Sequence, residues 1–172
     1  MPSILIPYID TGSGGAVEPA ETIVVWDLDE TLIHDAGTSV VYYRQDLIEI
    51  IFELKALGVR NILWTRGDIS HMVDSVAGTW LSWCFDDYLW DDHANDSFER
   101  HGKYKHPDYL ATKYPGAKLI IIDNEQENCS EWPNSICAGG LDPDKPATTT
   151  AAIQIFIRVA GLCSRAVSVR GD

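Results

Sequence analysis

Apolar and polar positions alternate along this chain in short blocks. Residues 22–27 (Thr-Ile-Val-Val-Trp-Asp) run apolar straight into acid, as in a strand covered on both faces. Residues 33–43 form a polar excursion around Asp35-Ala36-Gly37. The spacing of Leu47, Ile50, Ile51, Leu54 and Leu57 then predicts a helix over 45–57, with Gly58 at its stop. A second apolar run, 59–65, predicts a strand ending in Thr65-Arg66-Gly67-Asp68. Asp68 reads as the N-cap of a helix carrying Ile69, Met72, Val73 and Val76 on one face, broken or bent at Gly78. Residues 79–92 are rich in Trp and Asp, with a short strand over 88–90. Residues 91–106 read as a polar loop, and Pro107 fits the first turn of a helix reaching Tyr114. Residues 118–122 are the clearest buried strand, ending in Asp123-Asn124. A weaker strand at 135–138 and an apolar closing helix at 147–160 complete the pattern. Strands alternating with helices predict an α/β fold built from βαβ units around a mainly parallel sheet.

The punctuation divides the chain into a flexible N-terminal leader, 1–21, and a single domain, 22–172. The Gly-Ser-Gly-Gly of the leader lacks the Gly-Lys-Ser/Thr that a phosphate loop requires. At 172 residues the chain is long enough for one full core. A formal net charge of −13 works against binding long nucleic acid, whose phosphates need Lys and Arg. It leaves room for a small phosphorylated ligand beside a divalent cation. The four cysteines form no C-x-x-C pair or disulfide framework. No segment has the length and apolarity of a membrane span, so the expectation is a cytoplasmic protein with reduced thiols.

Three strand ends carry reactive residue types: Asp27 and Asp29, then Thr65, then Asp123 and Asn124. In a parallel sheet these ends share one edge, where ligands of open α/β sheets bind. Residues i and i+2 of a strand point the same way, so Asp27 and Asp29 are expected to project together. Two such carboxylates repel unless a cation or a shared proton relieves them. Asp, Thr and Asn also cap helices, but capping does not explain three such strand ends at once. Weaker signals have plainer readings. Asp86, Asp87, Asp91, Asp92, His93, Asp96 and His101 suggest a second metal site but have no ligand spacing, and a solvated acidic loop is preferred. Trp80, Trp83 and Trp90 are expected in the core.

In order along the chain, Asp27-Leu28-Asp29-Glu30-Thr31, Thr65, Lys105 and Asp123 resemble the four signature motifs of the haloacid dehalogenase superfamily of phosphotransferases. The wording Asp-Leu-Asp-Glu-Thr-Leu, Leu63-Trp64-Thr65 and Ile122-Asp123-Asn124 is most similar to the RNA polymerase C-terminal-domain phosphatases and their relatives. The chain departs from those relatives in the short stretch after Thr31 and in Glu125-Gln126-Glu127, where they usually carry Ser-Pro. The resemblance implies a Rossmann-like three-layer sandwich with a minimal cap or none.

It also implies a Mg²⁺-dependent phosphomonoester hydrolase. Asp27 would be nucleophile and metal ligand, and Asp29 general acid/base and ligand through its backbone carbonyl. Asp123 and Asn124 would complete the metal site. Thr65 and Lys105 would bind phosphate, and Thr31, Arg66 and Gly67 would contact substrate. Lys103 is the rival to Lys105, which directly precedes the His106-Pro107 helix start. Neither the stretch between Asp27 and Thr65 nor that between Thr65 and Lys105 has room for a large lid domain, unless 79–104 form a minor cover. The expected partner is a phosphorylated substrate: phosphopeptide, nucleotide or small metabolite. A phosphotransferase, or a non-catalytic module on the same fold, is the alternative.

Overall fold

The computed structural model describes residues 21–35 and 41–138. The predicted leader, the closing helix at 147–160 and Cys163 lie outside those residues.

Five strands form one wholly parallel sheet: β1 (Thr22–Trp26), β4 (Arg60–Trp64), β5 (Asp87–Leu89), β6 (Lys118–Asp123) and β7 (Ser135–Cys137), in the order β5-β4-β1-β6-β7. β2 (Ile33–Asp35) and β3 (Val41–Tyr43) form a separate antiparallel hairpin directly after β1. The chain steps outward from β1 to β4 and β5, then returns to the other side of β1 as β6. The crevice between the carboxyl ends of β1 and β6 is therefore the topological switch point of the sheet.

Register explains why both faces are dry. Val25 stands beside Ile62 and Ile121, and Trp26 beside Leu63 and Ile122. One face packs Val24, Trp26, Leu63, Ile120 and Ile122 against α1 (Gln45–Ala56) and α2 (Ile69–Val76). The other packs Ile23, Val25, Ile62, Trp64 and Ile121 with residues of α4 (Pro107–Lys113) and α5 (Gln126–Cys129). Covering both faces is what turns the strands into continuous apolar runs. A polar residue of the central sheet also sits inside this core. Asn61 of β4 is fully buried, accepts from the Trp26 indole at 2.9 Å and donates to the Val59 carbonyl at 3.2 Å.

The structure corrects three expectations. Residues 91–101, read as a polar loop, form helix α3 (Asp91–His101). Its buried residues are Ala94 and Ser97, too small to write an apolar stripe. Asp91 and Asp92 in its first turn and Arg100 and His101 in its last complement the helix dipole. Gly102 ends it in the left-handed conformation, φ 73°, which a side chain would resist. α3 packs on β5 and α4.

Trp80 and Trp83, expected in the core, are 75% and 76% exposed. They lie three apart on the 3₁₀ turn Trp80–Trp83, where i and i+3 eclipse, and Leu81 takes the inward position. On α2, Met72 and Val76 are buried but Ile69 and Val73 face outward. The capping prediction for that helix matches the structure: the Asp68 side chain accepts from the His71 backbone N–H at 2.8 Å. No helix among the described residues is long and apolar enough to cross a membrane.

Replacing Asn61 with Ala leaves the buried Trp26 indole N–H without its partner. The expected loss is about 1–3 kcal/mol of stability, the cost of an unsatisfied buried donor, read from urea unfolding against wild type.

Candidate active site

The strand alternation stops at Trp26, and the chain turns tightly. The backbone N–H groups of Leu32 and Ile33 both donate to the Leu28 carbonyl, at 2.8 and 3.0 Å. Glu30 takes a left-handed φ of 59° and receives the His34 imidazole at 2.7 Å. This turn gives the two aspartates different surroundings. Asp27 is buried, while the Asp29 side chain is 44% exposed.

At the switch point the Lys105 ammonium lies between two carboxylates. It donates to Asp27 Oδ1 at 2.5 Å and to Asp123 Oδ2 at 2.8 Å. All three side chains are buried. Burial pushes the Asp27 pKa up from 3.8 to about 6, against the pull of Lys105 and with the push of Asp123. Burial alone would lower Lys105, but the carboxylates of Asp27 and Asp123 outweigh it and hold the ammonium above its ordinary value. Lys103 points elsewhere, to Glu127 at 3.2 Å. The loop carrying Lys105 is held by the Trp132 indole, which donates to the Lys105 carbonyl at 2.7 Å. Ser97 adds a bond to the Lys103 carbonyl at 2.8 Å and accepts from the His106 N–H at 3.1 Å.

Thr31 is fully buried. Its hydroxyl donates to Asp27 Oδ2 at 2.8 Å and accepts from the Asn124 N–H at 3.0 Å, joining the loop after β1 to that after β6. Its hydroxyl lies behind Asp27 rather than on an exposed surface. Asp123 Oδ1 accepts from the Glu125 N–H at 2.8 Å, and its Oδ2 also accepts from Asn128 at 3.0 Å. Asn124 sits half-buried beside them. On the other flank Thr65 is fully buried. It donates its hydroxyl to Asp29 Oδ2 at 2.9 Å and accepts from the Gly67 N–H at 2.9 Å. Arg66 stands at the rim, over the Tyr104 ring at 4.3 Å and 3.4 Å from Glu125.

Asp27, Asp29, Thr31, Thr65, Lys105, Asp123 and Asn124 are thus brought to one sheet edge. The sequence reading missed Asn128, Trp132, Ser97 and His71, whose Nε2 lies 2.6 Å from Asp29 Oδ1. No motif announces these residues: Asn128 and Ser97 lie five and six positions from Asp123 and Lys103, while Trp132 and His71 reach Lys105 and Asp29 across 27 and 42 positions.

The donor set fits a small hard cation. Two carboxylates converge with a carboxamide beside them, all oxygen donors of the kind Mg²⁺ takes. The raised Asp27 pKa shows that Lys105 alone does not offset the burial of this charge. The acidic segment considered as a second metal site is otherwise engaged. Asp86 binds Lys55 at 2.8 Å, Asp96 binds Arg100 at 2.7 Å, and Asp87 binds Lys113 and Tyr114. His101, His106 and Asp108 do approach one another. The two imidazoles, however, stack with centroids 4.7 Å apart and planes at 11°, and one ion cannot lie in the planes of two rings stacked face to face. Burial pushes the Cys84 and Cys129 thiols to about 11 and about 12, so neither is a nucleophile near neutral pH.

A family model described as "Protein of unknown function (DUF705)" matches residues 9–107, more than half of the chain. The chain belongs to this family. The match includes Asp27, Asp29, Thr65 and Lys105 and stops short of Asp123. A comparison of this DUF705 member with curated proteins finds no match. Among solved structures it is similar to a probable YrbI family phosphatase from Pseudomonas syringae pv. phaseolica, at 12% identity and TM-score 0.48, covering 90% of this chain and 96% of that one. An uncharacterized protein from Listeria monocytogenes serotype 4b gives 18% identity and TM-score 0.46, covering 64% and 72%. The 3-deoxy-D-manno-octulosonate 8-phosphate phosphatase from Moraxella catarrhalis gives 11% and 0.44, covering 89% and 95%.

Lys105→Met leaves two buried carboxylates facing each other. Without divalent cation, the variant is expected to lose about 3–5 kcal/mol at pH 8, the usual cost of breaking a buried ion pair, and less at pH 5. The sign follows from Asp27. Its folded pKa lies above its unfolded value, so its contribution is present below pH 3.8 and lost as pH rises through about 6. Removing Lys105 pushes that window higher. Urea unfolding at the two pH values measures the difference.

Proposed function

We propose that this chain is a divalent-metal-dependent phosphomonoester hydrolase that works through an aspartyl-phosphate on Asp27. One observation carries the reading: Asp27, Lys105 and Asp123 meet, buried, at the switch point of a parallel sheet, with Asp29 and Thr65 beside them. The order of these residues in the sequence, which resembles the haloacid dehalogenase motifs, supports it.

Phosphoryl transfer needs a nucleophile, charge neutralisation and alignment. Asp27 attacks phosphorus, and the bond to the leaving oxygen breaks. Asp29, exposed enough to reach that oxygen, gives it a proton. Asp29 then takes a proton from water, which hydrolyses the acyl phosphate to inorganic phosphate and restores Asp27. Thr65 turns its hydroxyl to a phosphate oxygen, and Lys105 offsets negative charge. Asp27, Asp123, Asn124 and the Asp29 backbone carbonyl would hold Mg²⁺, whose charge would neutralise the phosphate when bound. Among the described residues no separate lid covers the Asp29 side, so the substrate is a phosphorylated molecule whose own bulk excludes water there: phosphopeptide, nucleotide or metabolite.

Wild-type protein with Mg²⁺ is expected to hydrolyse p-nitrophenyl phosphate and to form a hydroxylamine-sensitive phosphoenzyme. Asp27→Asn should reduce both to background while still folding, and chelation of the metal should stop turnover reversibly. A wild-type protein inert toward phosphopeptides, nucleotides and sugar phosphates with Mg²⁺ would sink the reading; so would a phosphoenzyme that persists in Asp27→Asn.

A further inference from the structure

Among the described residues the Asp29 carboxylate has two side-chain anchors, and one of them belongs to the motifs. Thr65 Oγ1 donates to Oδ2 at 2.9 Å, and His71 Nε2 lies 2.6 Å from Oδ1. As the acid, Asp29 keeps its proton on Oδ2 for the leaving oxygen and leaves Oδ1 an acceptor, which pairs with the tautomer that carries its proton on Nε2.

Two further features fix the imidazole. The His71 backbone N–H is held by the Asp68 cap at 2.8 Å, which sets the start of α2. The loop between Thr65 and Asp68 is also shaped around the ring. A Cβ added at Gly67 would fall 2.6 Å from His71 Cδ2 and 3.3 Å from Thr65 Oγ1. Any side chain at position 67 would displace the imidazole or the loop that presents Thr65.

We infer that His71 is the positioning residue for Asp29, an inference that rests on the phosphatase reading above. The argument turns on the Thr65 hydroxyl, which has a single proton. When it donates to a phosphate oxygen it releases Asp29 Oδ2, at the moment when Asp29 must aim at the leaving oxygen. His71 is then the remaining described side chain that holds the carboxylate. Without it, Asp29 is a half-exposed side chain on a tight turn, free to rotate into solvent. The contribution therefore falls on proton delivery to the leaving group, not on the attack by Asp27.

Leaving-group dependence separates this role from a merely structural one, because a phosphoester with a good leaving group needs no proton. The wild-type protein, His71→Ala and His71→Gln are compared on p-nitrophenyl phosphate and on a series of phenyl and alkyl phosphates of rising leaving-group pKa, with Mg²⁺. For His71→Ala, kcat/KM should fall about tenfold or more on the alkyl phosphates, part of the roughly 10²–10⁴-fold that general acid catalysis supplies. It should fall less than about threefold on p-nitrophenyl phosphate. His71→Gln, which keeps a side-chain N–H donor, should recover part of the loss. Equal loss across the series, or a gain in rate, would overturn the assignment, provided thermal melting shows both variants folded. An inactive wild type would overturn the phosphatase reading itself, and this inference with it.

Discussion

A single ammonium, buried between two carboxylates, organises this molecule. Lys105 has no water to solvate it, and two carboxylates buried side by side repel each other unless a cation lies between them. The three groups are affordable only together, and their meeting fixes the relative positions of three distant segments: the end of β1, the end of β6 and the loop before α4. Thr31 repeats the tie between β1 and β6 in neutral form, through one hydroxyl shared by Asp27 and the Asn124 backbone. Trp132 and Ser97 hold the loop that delivers the lysine. The sheet order matters because it places a crevice between β1 and β6, where a ligand can approach these charges.

The two aspartates of the Asp-Leu-Asp motif divide along the same line. Asp27 is drawn inward to Lys105, and burial sets its proton affinity. Asp29 stays half-exposed and is held from the other flank by Thr65 and His71. The tight turn through Leu28 and the left-handed Glu30 separates them. Two identical side chains thus acquire different surroundings, as the roles proposed for them require.

Several parts of this arrangement were legible in the sequence. The apolar runs ending in Asp27, Thr65 and Asp123 are strands, because residues covered on both faces leave a continuous apolar signature. Asp68 reads as an N-cap for a local reason, since its partner is three residues away. Other parts were not legible. α3 buries little beyond Ala94 and Ser97, so its helical period is invisible in hydropathy. Trp80 and Trp83 are large and apolar, yet a single 3₁₀ turn faces both outward. His71 carries no motif, and its connection to Asp29 crosses 42 positions of chain.

The sequence by itself determined the α/β class, the parallel sheet and the set of reactive residue types at its edge. Strand periodicity and strand ends are local properties, written in neighbouring residues. Only the tertiary structure decided which aspartate is buried and which histidine pairs with the other. Those outcomes depend on how segments far apart in the chain share one desolvated space, where each charge must find its partner.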